Sequence, residues 1–119
     1  MKPAAEDLER RRPVWEAMSG FFLDTELDDA EFQSIADVLA ASGYSRLELE
    51  EILWRELCPV LGKNLAPVAG EWAGFDMKWV EERILHHPPG VIRRWEAYVF
   101  GGRVARHAWN RVLAILASR

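Results

Sequence analysis

Residues 28–43 read DDAEFQSIADVLAASG, and the fold is decided there. Phe32, Ile35, Ala36 and Leu39 recur at i, i+3, i+4 and i+7, a spacing that gathers them on one side of a helix and leaves Gln33, Ser34 and Asp37 on the other. Asp28 stands where an N-cap belongs, with Glu31 three residues on in capping-box position, and Gly43 supplies a C-terminal stop. A helix with one apolar stripe must bury it against other helices or a sheet, so the neighbouring segments decide which.

On the N-terminal side, Val14, Trp15, Met18, Phe21 and Phe22 repeat the three-and-four spacing. Pro13 reads as a first-turn proline, Gly20 weakens the helix end, and residues 1–12 form a polar lead-in free to be flexible. On the C-terminal side, Ser45 and Glu48 repeat the capping-box spacing and open a third helix carrying Leu49, Ile52, Leu53 and Leu57, which Pro59 is expected to end. Residues 62–76, GKNLAPVAGEWAGFD, hold three glycines and a proline without any sustained period and read as a structured loop or short turns. Asp76 can cap a fourth helix to about His87, before Pro88-Pro89-Gly90; Ile92, Trp95, Tyr98 and Val99 mark a fifth. After Gly101-Gly102, Val104, Ala105, Ala108, Trp109, Val112, Ile115 and Leu116 cover one side of a last helix, with Arg103, Arg106, His107 and Asn110 opposite. No segment alternates as a half-buried strand does. The expected fold is all-α, one domain over residues 1–119, built as a bundle of five to six short helices.

Composition agrees with a single core. Half of the 119 residues are apolar and 29% are charged, too much buried surface for a solvated disordered chain. The lone cysteine, Cys58, makes no internal disulfide, and no run reaches the roughly 18–20 apolar residues of a membrane helix. With no apolar leader in MKPAAEDLERRR, a cytoplasmic location and no membrane partner are expected. Net charge is −4, yet residues 1–60 carry 6 basic and 14 acidic side chains against 9 and 5 in residues 61–119. The halves therefore carry −8 and +4, an asymmetry that suits either internal pairing or a charged partner.

Known chemistries fail on spacing. Asp24, Glu26 and Asp28 would fit the first calcium-loop positions, but Asp29 replaces the turn glycine and Ile35 the bidentate Glu. Gly62-Lys63 lacks the upstream glycine and the following Ser/Thr of a phosphate loop. Glu82, His86, His87 and His107 lack structural-zinc spacing, so no metal and no cofactor are expected. Cys58, between Leu57 and Pro59, reads as a small buried hydrophobe. Glu50 and Glu56 fall inside the apolar arc of the third helix; such groups either lie at its edge, pair with an arginine of a neighbouring helix, or do acid/base work. Glu51 and Arg55 read as a surface i, i+4 pair. Of six tryptophans, Trp15, Trp79 and Trp109 fall on apolar faces and read as core, whereas Trp72, with Phe75, lies in the glycine-bearing loop as a core plug or a partner anchor.

RRPVWEAMSGFFLDTELDD (residues 11–29) together with VAGEWAGFD (68–76) resembles a family of small uncharacterised bacterial proteins, over roughly residues 11–84. The resemblance implies bacterial origin and one compact domain, and carries no catalytic residue. In type, a small acidic helical protein without catalytic motifs is similar to the immunity proteins that neutralise secreted toxins. The leading expectation is thus a non-enzymatic protein-binding module, an immunity- or antitoxin-like inhibitor of a basic toxin. Its candidate contacts are Asp28, Asp29, Asp37, Glu48, Glu51, Trp72 and Phe75. Asp37, Glu48 and Glu51 sit on polar arcs, so reversing them to Lys is expected to leave stability nearly unchanged. The alternatives are nucleic-acid binding by the arginine-rich C-terminal helices, where seven arginines from Arg83 onward face only Glu96, and a small enzyme of unrecognised type. Oligomeric state is left open by the sequence.

Overall fold

The structure, a computed structural model, describes residues 1–22, 27–61, 76–86 and 105–119. Those residues form five helices and two short 3-10 turns, Ala4–Glu6 and Gly20–Phe22, with no strand among them. Helix α1 spans Leu8–Ser19 and α2 Asp29–Ala41. Helix α3 joins three segments without a break: α-helical Arg46–Glu51, π-helical Ile52–Leu57 and α-helical Cys58–Leu61. Helix α4 spans Met77–His86, and residues 105–117 form α5. The expected helix at 91–100 and the loop bearing Trp72 and Phe75 lie outside the described residues.

Helix α2 forms as its sequence dictates. The Asp28 carboxylate accepts from the Glu31 N–H at 2.7 Å, the four stripe residues are buried, and Gly43 takes φ 79°, where a side chain would be strained. Ser45 and Glu48 form the expected reciprocal box, each side chain accepting from the other's backbone N–H. Asp76 accepts from the N–H groups of Lys78 and Trp79 at the start of α4.

Both proline readings are corrected. Helix α1 begins five residues before Pro13, so that proline is interior, where it removes one backbone bond, and residues 8–12 are helical instead of a polar lead-in. Nor does Pro59 end α3. Across the π segment the Cys58 N–H bonds to the Leu53 carbonyl five residues back, a wider turn that admits a following residue with no N–H to give. The same widening re-aims the helix. At the α-helical pitch of about 100° per residue, the stripe begun by Leu49, Ile52 and Leu53 would run through Glu56 and Val60. The π turns instead bring Cys58 and Leu61 to the interior beside Leu57 and leave Glu56 at its edge, partly buried. They also displace Arg55 from its i, i+4 position, and Glu51 and Arg55 form no pair in the structure.

One core unites Val14, Trp15, Met18 and Phe21 of the N-terminal elements with the α2 stripe and the buried face of α3. Val80 and Ile84 join from α4, and Ala105, Ala108, Trp109 and Val112 from α5. Each fully buried large apolar side chain contributes about 1.5–3 kcal/mol, so this set dominates the favourable side of folding. Trp79, expected in the core, is only partly buried. No described helix is long and apolar enough to cross a membrane.

Candidate functional site

Two polar systems stand out, one buried and one exposed. The buried one is centred on Arg11, whose side chain is 1% exposed although a bare guanidinium is among the costliest groups to desolvate. Its α1 position carries it toward α3, where the π segment has turned Glu56. Arg11 Nε donates to Glu56 Oε1 at 3.1 Å and Nη2 to Oε2 at 2.8 Å, a two-point fork, while Trp15 Nε1 donates to the same Oε1 at 2.9 Å. Nη1 donates to Asp7 Oδ2 at 3.2 Å, to the Lys2 carbonyl at 3.0 Å and to the Tyr44 hydroxyl at 3.3 Å. The Tyr44 hydroxyl donates in turn to Asp7, and Arg10 stacks 4.2 Å from the centre of the Tyr44 ring while giving two hydrogen bonds to the Ser42 carbonyl.

The protonation states are fixed by these contacts. The Tyr44 hydroxyl, with Arg10 and Arg11 behind it, holds the Asp7 carboxyl below its usual range; burial, then the Asp7 bond, pushes the Tyr44 phenol up. Burial works against the Arg11 charge, but the Glu56 bond outweighs it and the guanidinium is held protonated more firmly than usual. Such an arrangement clamps α1, the α2–α3 turn and α3 together. Of the three readings left open for Glu56, two are observed together: it lies at the arc's edge and pairs with an arginine of a neighbouring helix. Glu50 also lies at the arc's edge and accepts from Arg46 at 2.9 Å. Cys58 is buried, as expected of a small hydrophobe, and burial raises its thiol to about 11, far from a reactive thiolate.

The exposed system is the acidic side of α2 and the start of α3. Asp28, Asp29, Glu31, Asp37 and Glu51 are all exposed, with Arg46 as the one basic residue between Asp28 and Glu51. Three of them, Asp28, Asp29 and Glu31, also stand at the positive end of the α2 macrodipole, which favours acids there whatever their function. Arg111 of α5 and Arg119, just past its end, answer two of the candidates. Arg111 Nη2 reaches Asp29 Oδ1 at 2.6 Å; Arg119 Nη2 reaches Asp37 Oδ1 at 2.5 Å and Gln33 Oε1 at 3.3 Å. Glu48 is absorbed by the capping box and faces the N-terminal amine at 3.7 Å. Of the three residues whose reversal was expected to leave stability nearly unchanged, Asp37 sits in an exposed ion pair, Glu48 in the capping box, and Glu51 in neither. Trp72 and Phe75 lie outside the described residues.

Sequence reasoning missed Arg11, Asp7 and Tyr44. One signal existed: Asp7 and Arg11 stand at i, i+4, and Glu56 sat too deep in an apolar arc to be unpartnered. No group of three or more metal-binding side chains occurs among the described residues.

The sequence model of a domain of unknown function, DUF7079, matches residues 9–115. No curated protein and no solved structure matches the chain.

Proposed function

The chain belongs to the DUF7079 family, whose description carries no activity, and for it we propose a protein-binding role: inhibition, in the manner of an immunity protein or antitoxin, of a basic bacterial toxin held against the acidic face of α2 and α3. The carrying observation is the set of five exposed carboxylates, Asp28, Asp29, Glu31, Asp37 and Glu51, of which Asp29 and Asp37 are held only by exposed pairs with Arg111 and Arg119. A surface of one sign steers an oppositely charged protein into encounter and rejects like-charged ones. Leu47, 73% exposed between Arg46 and Glu48 and one turn from Glu51, offers an apolar contact beside the acids. The ion pairs of Arg111 and Arg119 with Asp29 and Asp37 favour this reading over nucleic-acid binding, because those cations already face carboxylates of the same chain.

The test is first the gene neighbourhood, where a toxin gene is the expected outcome, and then association kinetics with the product of such a gene, followed at low and high salt. Glu51→Lys is expected to slow association at low salt and to reduce its ionic-strength dependence without altering unfolding. Association that is as fast for Glu51→Lys and Leu47→Ala as for the parent would remove this face from consideration. Tight binding of a single-stranded oligonucleotide, weakened by Arg111→Glu, would favour the nucleic-acid reading.

A further inference from the structure

Arg111 and Arg119 meet more on α2 than negative charge. Arg111 Nη2 donates to Asp29 Oδ1 at 2.6 Å while its guanidinium carbon lies 4.9 Å from the centre of the Phe32 ring, so one group meets a carboxylate and an aromatic face together. Phe32 is buried in the core, which fixes the ring that Arg111 covers. Arg119 Nη2 donates both to Asp37 Oδ1 at 2.5 Å and to the Gln33 amide oxygen at 3.3 Å. Asp29, Gln33 and Asp37 stand at i, i+4 and i+8 on α2, a line of about 12 Å at 1.5 Å per residue.

These contacts suit a planar, delocalised cation better than an ammonium, since a guanidinium stacks on a ring and offers several donors in one plane. They are also open to exchange. All four charged side chains are more than a third exposed, and exposed ion pairs hold weakly because water can take the place of either partner. A basic protein approaching the acidic face therefore finds Asp29 and Asp37 already holding the kind of group it would bring.

We propose that α2 carries two guanidinium seats, Asp29 with Phe32 and Asp37 with Gln33, which Arg111 and Arg119 fill as an autoinhibitory contact until a partner's arginines replace them. This rests on the acidic face being the docking surface for a basic protein, and adds the side chain that its partner must present and the contact that holds the face in check.

Deca-arginine and deca-lysine, equal in charge, serve as probes. Each is titrated into the full ¹⁵N-labelled chain at about 0.15 M salt, where distant charges are screened, and the backbone amide signals of Asp29, Gln33 and Asp37 are followed. Deca-arginine is expected to shift these signals saturably and to bind several-fold more tightly than deca-lysine. Arg111→Gln combined with Arg119→Gln should tighten deca-arginine by up to about fivefold for each seat vacated. Lys78→Gln combined with Arg83→Gln removes the same charge from α4, which packs on α1 and α3, and should tighten it less. Gln33→Ala, a neutral change at an exposed residue, should erode the preference for arginine. A gain from the Arg111/Arg119 variant no larger than that of the α4 control, or equal affinity of that variant for the two peptides, would overturn the proposal and leave the acidic face standing as a docking surface. No saturable shift with either peptide, in parent or variant, would overturn both readings.

Discussion

Arginine meets carboxylate twice in this molecule, with opposite consequences. Arg11 is sealed between Asp7, Glu56 and Tyr44, while Arg111 and Arg119 reach Asp29 and Asp37 across open surface, where both partners of each pair are more than a third exposed. The contact distances are similar. What differs is the water: a buried charge has no solvent to return to when its partner is lost, whereas an exposed one does. The difference teaches that the buried cluster belongs to the fold, and that the exposed pairs can open for a partner at little cost.

The largest expected effect follows from breaking the buried side. Arg11→Met leaves the partly buried Glu56 without its cation and Asp7 with only the half-exposed Arg10, 3.9 Å away, and should destabilise by about 3–5 kcal/mol in denaturant unfolding. Arg11→Lys should recover only part of this, because an ammonium cannot make the two-point fork to Glu56 while also reaching Asp7, Tyr44 and the Lys2 carbonyl. Next in size is the apolar control: Phe32→Ala or Ile35→Ala should cost about 2–5 kcal/mol, which calibrates the cluster against ordinary core packing.

The pH dependence sharpens the comparison further. Asp7 has a lowered folded-state pKa, so its contribution is present at neutral pH, begins to fall near the ordinary carboxylate range and is lost as pH drops through the folded value. Tyr44 has a raised one, so its contribution holds below the ordinary phenol range and is lost as pH rises beyond it; Cys58, raised to about 11, adds to the same alkaline loss. Thermal melts of Asp7→Asn should flatten the acid limb, and those of Tyr44→Phe part of the alkaline limb. Unchanged limbs in both would mean that the cluster does not titrate with folding. The smallest effect belongs to the exposed pairs: Arg111→Met and Arg119→Met should each change stability by under about 1 kcal/mol, and less at high salt.

The two regions were not equally legible in the sequence. Helix α2 could be read to within a residue because everything that defines it is local: a cap at Asp28, a stripe from Phe32 to Leu39 and a glycine at position 43. The exposed acids were legible for the same reason, since composition alone exposes them. Helix α3 was read correctly up to Glu51 and then misread at Pro59, because the rule that a proline ends a helix assumes α-helical bonding, and the π segment suspends that assumption. Arg11 was legible only in its i, i+4 spacing to Asp7. Its burial depends as well on Tyr44 and Glu56, 33 and 45 residues away. The pairing of α5 with α2 likewise depends on partners 82 residues apart, which charge asymmetry hinted at without naming them.

The most direct measurement is a pair of double-mutant cycles read by denaturant unfolding, one on Arg11→Met with Glu56→Gln and one on Arg111→Met with Asp29→Asn. A buried cluster that holds the fold should give a coupling of about 1–3 kcal/mol in the first cycle. The exposed pair should give at most about 0.2–1 kcal/mol in the second. Equal couplings, or a larger one on the surface, would contradict the division between a scaffold built on Arg11 and an acidic face left free to bind.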